Sequence, residues 1–148
     1  MLQELPARLA KLSADAVGRR SSPDAWSSKQ ELGHLLDSAI MNHVRFLRVL
    51  TESNPTLPGY DGEFCVVAHD YQSHEWQDLV RTWHSLNAHF LMAAERVSGN
   101  DWQRPCVFDG KPVTLEFMFT DYVHHALHHL EHIGVDVKDF SRHSSASA

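Results

Sequence analysis

Cysteine is scarce: only Cys65 and Cys106 occur, enough for one disulfide at most. That excludes a disulfide framework. With no signal-peptide pattern in view, it predicts free thiols in a reducing cytoplasm. Basic residues are also few. The 13 Lys and Arg stand against 19 Asp and Glu, for a net charge of -6, which argues against a nucleic-acid binder with its basic patch. The first ten residues, MLQELPARLA, carry Glu4 and Pro6 and have no apolar leader core. No run of about eighteen apolar residues exists, so no membrane span is expected. There is no Gly-rich phosphate loop, no GxSxG elbow, no CxxC pair and no internal repeat, which removes the usual nucleotide, serine-hydrolase and dithiol signatures. What is plentiful is histidine: there are 12, almost as many as Lys and Arg together. The cluster His124, His125, His128, His129 and His132 is interrupted by other residues, so it is not an expression tag.

With 148 residues, 43% of them hydrophobic and 22% charged, the chain can bury a core of its own as a single domain. Leu2, Leu5, Leu9, Leu12 and Ala16 recur at helical spacing and predict a first helix over 2–17, ending at Gly18. Ser27 precedes Gln30 by three residues, a capping-box spacing, and opens a long second helix over 28–53. Pro55 and Pro58 break it. Residues 54–72 form a connection with one short helix around 61–69. Ser73 is the expected cap of a third helix over 74–98, with Gly99 at its end. Asp109-Gly110 marks a tight turn or small hairpin. Thr114 caps a fourth helix over 115–133, stopped at Gly134. The domain is expected to span 1–135, with 136–148 a flexible polar tail.

Helices with almost no strand signal predict an all-α four-helix bundle. At about 3.3 Å per residue, the long connection between helices 2 and 3 can cross the length of a helix. Helix 3 can then run parallel to helix 2 rather than return as a hairpin, and with a short connection between helices 3 and 4, helix 4 would be antiparallel to helix 2.

On helix 4, His125 and His129, His124 and His128, and His128 and His132 are each four apart. This spacing sets two imidazoles one turn apart and can chelate a metal, although such pairs on an exposed face often do nothing. A third ligand changes the reading. If helices 2 and 4 are antiparallel, His34 in the first third of helix 2 lies level with His125 and His129. Three neutral imidazoles on Zn, Ni or Fe leave a position open for water or substrate, as in catalytic sites. Gly33 beside His34 suggests a close approach, or room for the site.

The segment WSSKQELGHLLDSAIMNHVRF (26–46) resembles the second-helix signature of the DinB-like metalloprotein superfamily, and DYVHHALHHLEHI (121–133) resembles its last-helix signature. YDGEFCVVAHDYQ (60–72) is similar to a loop found in one subgroup. The likeness covers about 20–135. It implies a bundle of the crossed topology with a three-histidine divalent metal site, which maps onto His34, His125 and His129. The choice of His125 and His129 over His124 and His128 rests on the match of Asp121-Tyr122-Val123 and on the apolar face shared with Tyr122. Several relatives in the superfamily are S-transferases that use bacillithiol, mycothiol or glutathione, and one branch is a thiol-dependent isomerase. The resemblance therefore implies a metal-dependent enzyme that activates a low-molecular-weight thiol toward a small-molecule substrate, or a related hydrolase or isomerase. The alternative is a non-catalytic, stress-related metal-binding module.

Other residues carry weaker expectations. His69 could reach the site from the connection. Asp37 and Asp121 could orient imidazoles, although a solvated carboxylate is the commoner role. Arg45 could meet an anionic substrate or thiol, with a surface ion pair its commoner use. His43 is expected in the core or at an interface, and His74, His84 and His89 at the surface or facing a partner. The tryptophans are expected to pack, with Trp26 plugging the bundle end, and Cys65 to act as a small hydrophobe. Wide apolar faces on helices 1 and 3 are compatible with a homodimer.

Overall fold

The computed structural model describes residues 3–141. Four helical layers form a bundle. The first consists of two short helices, α1 (Leu5–Ala10) and α2 (Ala14–Gly18), and the others are α3 (Ser28–Thr51), α5 (Trp76–Ala94) and α6 (Leu115–His132). A short α4 (Gly62–His69) interrupts the connection between α3 and α5. Strands β1 (Pro105–Phe108) and β2 (Lys111–Thr114) form an antiparallel hairpin, and α7 (Lys138–Ser141) follows α6.

The local signals explain most boundaries. Ser27 and Gln30 form the capping box of α3, satisfying backbone N–H groups that have no helical partner. Thr114 accepts from the Phe117 N–H to start α6. Asp109 and Gly110 both have positive φ, 49° and 71°, as a two-residue hairpin turn requires.

Two boundaries differ from expectation. The first helix breaks because the Ser13 side chain accepts from the Ala16 N–H and starts a new helix. At the third helix Ser73 is not the cap: its hydroxyl donates to the Asp70 carbonyl within a turn, and α5 starts after Glu75. That helix ends at Ala94, and Gly99 begins a separate 3-10 turn.

The tail also differs from expectation over 136–141. Val135 and Val137 are buried. Phe140 packs on the core beneath the Arg8 guanidinium, which also donates to the Asp136 carbonyl. The remaining tail, 142–148, lies outside the described residues, as does Leu2 of the first predicted helix.

The crossed topology is present. Leu35 and Leu36 early in α3 pack with Leu79, Val80 and Trp83 early in α5. Phe46 and Val49, late in α3, meet Phe90 and Ala94, late in α5. The two helices are therefore parallel. Val49 also shares a core with Leu115 at the start of α6, while Leu32 shares one with Leu130 near its end. Helix α6 is thus antiparallel to α3. Leu32, Leu35, Leu115 and Leu130 are fully buried, each contributing about 1.5–3 kcal/mol of hydrophobic stabilisation.

The apolar faces of α1 and α5 are largely spent on the core. Trp76 Nε1 donates to the Leu9 carbonyl at 2.9 Å, tying α5 to α1. The large apolar residues left exposed on the two longest helices are Ile40, Val44 and Leu47 on α3 and Leu91 and Met92 on α5. No helix among the described residues is long and apolar enough to cross a membrane.

Candidate metal centre

The antiparallel packing of α3 and α6 brings His34, His125 and His129 together. His125 Nε2 stands 3.2 Å from His34 Nε2 and 3.1 Å from His129 Nε2. His34 is buried and the other two are half-buried. On one side Trp26 packs on the His34 and His129 rings, with centroids 5.1 and 6.4 Å away. It therefore covers the site as well as the bundle end. On another side Gly62 opens α4 so close to His34 that a Cβ there would lie 2.9 Å from the imidazole Cε1. Glycine lets the crossover lie against the ring.

The Glu31 carboxylate fixes His129. Its Oε2 accepts from His129 Nδ1 at 2.6 Å, which leaves the lone pair of that ring on Nε2, facing the other histidines. Ser38 Oγ lies 3.4 Å from His125 Nδ1 and accepts from Asn42 Nδ2.

The donor set fits a divalent ion. Three nitrogens each about 2.1 Å from one ion lie about 2.9–3.4 Å apart, in facial-octahedral or tetrahedral arrangement. The two contacts above fall in that range. Burial pushes the imidazole pKa of His34 and of His125 down to about 4, helped by the neighbouring histidines. Both rings are therefore neutral at pH 7, the form that ligates.

These depressed values predict how stability depends on pH. In the metal-free protein the folded rings resist protons that the unfolded chain accepts near the ordinary pKa of 6.5. Stability contributed by these groups is then fully present above about pH 6.5 and declines as pH falls toward 4. Thermal melts of chelator-treated protein between pH 8 and 4 should show a plateau and then a fall. A flat melting temperature from pH 7 to 4 would contradict the burial of these rings.

The other candidates separate. His69 is not in the cluster: its Nδ1 meets Asp37 Oδ1 at 3.2 Å and its side chain is 55% exposed. Asp37 orients His69 rather than any of the three clustered histidines, and it also accepts from the Tyr71 hydroxyl at 2.7 Å. Among the described residues Arg45 makes no surface ion pair. It is buried, and Pro58 and Asn42 hold it. Asp121 is exposed at the rim of a cavity of about 460 Å³, which also reaches Ser38, Asn42, Arg45, Tyr60 and His125.

His124, His128 and His132 are all exposed, but only the first two are bystanders. His132 Nδ1 lies 3.4 Å from Glu31 Oε1, so one carboxylate serves His129 and His132. His43 is half-buried, stacked on Phe90 and edge-on to exposed His89. His74 is exposed and His84 half-buried. Cys65 and Cys106 are both free. Desolvation, and after it the carboxylates of Asp37 and Asp61, push the Cys65 thiol up, opposite to what a nucleophile needs.

Sequence reasoning missed Glu31. The signal was present: Glu31 precedes His34 by three residues, and on a helix that puts carboxylate and imidazole on one face. Replacing Glu31 with Gln should weaken metal binding about 10–100-fold, the usual effect of losing an orienting carboxylate. Competition titration with a metallochromic chelator measures it, and unchanged affinity would remove Glu31 from the site.

A four-helix bundle with three convergent imidazoles beside a cavity is the architecture of a bundle metalloprotein. The sequence model of the DinB superfamily matches residues 1–133, and the chain belongs to that superfamily. Two similar proteins bear the name "Putative metal-dependent hydrolase". YfiT of Bacillus subtilis is 24% identical over 139 residues, covering 90% of this chain and 78% of that protein. BH0277 of Halalkalibacterium halodurans is 25% identical over 134 residues, covering 87% and 78%. The solved structure of YfiT, described as having "an unusual four-helix bundle topology", superposes with a TM-score of 0.80 at 23% identity, covering 99% of this chain and 85% of that one. The fold is therefore shared.

Proposed function

We propose that this chain is a metal-dependent enzyme in which His34, His125 and His129 hold one divalent ion (Zn, Ni or Fe) and a low-molecular-weight thiol is activated for transfer to a small electrophile. The observation that carries this reading is the convergence of the three imidazole nitrogens, one of them on His125, which lines a cavity large enough for a small molecule. When bound, the ion supplies Lewis acidity that lowers the pKa of a thiol or water at an open position. Glu31 holds the His129 tautomer, and Trp26 shields two of the rings. Burial pushes the Tyr60 phenol up, so at neutral pH it keeps a proton to donate into the cavity. The thiol rests on the superfamily resemblance.

The names of the two relatives favour hydrolysis as a second reading, with water in place of the thiol. One screen separates them. Protein loaded with Zn²⁺, Ni²⁺ or Fe²⁺ is given 1-chloro-2,4-dinitrobenzene with glutathione, bacillithiol or mycothiol, and separately a p-nitrophenyl ester without thiol. The proposal expects thiol-dependent product that a chelator abolishes. Ester cleavage without thiol would replace it with the hydrolase. Neither activity, together with metal-dependent melting, would leave the non-catalytic module.

A further inference from the structure

Arg45 is buried and makes no ion pair with a carboxylate among the described residues. Its side chain, on the inner face of α3, is 6% exposed. Nε and Nη2 donate to the Pro58 carbonyl at 2.9 and 2.6 Å, and Nη1 to Asn42 Oδ1 at 3.3 Å. These bonds use three of the five N–H groups of a guanidinium, and both acceptors are uncharged. The Phe108 ring lies 4.7 Å from the guanidinium carbon and the Tyr60 ring 5.8 Å. The cation is thus held in place by aromatic faces and one backbone carbonyl. A buried charge is costly unless an opposite charge meets it. The side chain lines the cavity that His125 also lines. Asp121 lines that cavity too and attracts Arg45 from a distance, but it is exposed and makes no ion pair with it.

We propose that Arg45 is the anion-recognition residue of this cavity, selecting a small molecule with a carboxylate that takes the two remaining N–H groups while its reacting end lies toward His125. A carboxylate suits better than a phosphate monoester. The planar fork matches it, and a single guanidinium with Asp121 nearby balances one negative charge rather than two. The apolar lining from Leu57 and Phe108 accommodates the rest of the molecule. The inference rests on the enzyme reading for what reacts, but not for what binds. The carboxylate belongs either to the nucleophile or to its acceptor.

The probes are benzoate and its neutral isostere benzamide. Binding to metal-free and zinc-loaded protein is followed by calorimetry and by the Arg45 Nε–H resonance. Benzoate should bind at least about tenfold more tightly than benzamide in both forms, as expected for a charge-assisted fork, and should shift the Nε–H signal. Arg45→Gln should erase the preference and Arg45→Lys retain part of it. Because Arg45 is buried, Asp121→Asn provides a surface variant that leaves the core intact. It should tighten benzoate binding a few-fold and leave benzamide unchanged.

Equal binding of the two probes by metal-free wild-type protein overturns the assignment. So does a preference seen only with zinc and lost in His125→Ala, which places the carboxylate on the metal and leaves the proposed function standing. Conversely, a metal-independent preference in a protein with no turnover supports Arg45 while the enzyme reading fails. In an active protein, amidated and carboxylated forms of the thiol and of the acceptor show which one Arg45 holds, through the KM that Arg45→Gln raises.

Discussion

Replacing His125 with Ala should yield a folded bundle that no longer retains stoichiometric divalent metal. The ring is half-buried and faces the cavity, so truncating it opens space that water can fill rather than a dry void in the core. What is lost is the nitrogen that sits between the other two, 3.2 Å from His34 Nε2 and 3.1 Å from His129 Nε2. With that nitrogen gone, two imidazoles remain, and the affinity should fall by more than the roughly 10–100-fold seen for loss of an orienting partner. The control is His124→Ala, one position away and exposed, which should keep its metal. Elemental analysis after dialysis gives the stoichiometry. A melting curve with and without chelator gives the linkage: metal that binds only the folded state raises the midpoint, so chelation should lower it for wild type and His124→Ala but not for His125→Ala. One equivalent of metal in purified His125→Ala would rule out this ligand set.

How much of this could be read from the sequence follows from the range of each signal. The helix α3 and its capping box, the hairpin turn at Asp109-Gly110 and the stop of α6 at Gly134 are encoded within a few residues, and the structure matches each of them. The meeting of His34 with His125 is a long-range event; the length of the connection permitted the crossed topology that brings them level, and the superfamily resemblance selected it. Side-chain partnerships between elements were not accessible in this way. Nothing near Arg45 in the chain says that the Pro58 carbonyl will hold it away from the surface. The docking of Val137 and Phe140 depends on a groove beside α1 that exists only once the bundle has formed. Glu31 is the instructive case: its distance from His34 in sequence was legible, but its strongest partner, His129, lies on another helix.

Gly33→Ala should destabilise the protein despite putting a better helix former into the second turn of α3. In an exposed helix the exchange would gain about 1 kcal/mol. Here the new methyl would fall inside the ring of Tyr71, with ring carbons far closer than contact distance. Tyr71 cannot simply yield. It is buried in the core with Leu32, Leu35 and Val66, and its hydroxyl donates to the Asp37 carboxylate at 2.7 Å. Moving it breaks a bond to a charged acceptor, about 1.5–3 kcal/mol, and overpacks the core by about 1–3 kcal/mol. After the helix-propensity gain of about 1 kcal/mol, the net loss is about 1.5–5 kcal/mol, readable by urea denaturation. The cause can be isolated. Tyr71→Ala alone costs packing, but on that background Gly33→Ala has no ring to strike and should be neutral or stabilising. The coupling between the two sites should therefore exceed about 2 kcal/mol. A Gly33→Ala protein as stable as wild type would mean that the close approach of the crossover to α3, which also brings Gly62 against His34, is looser than the structure shows.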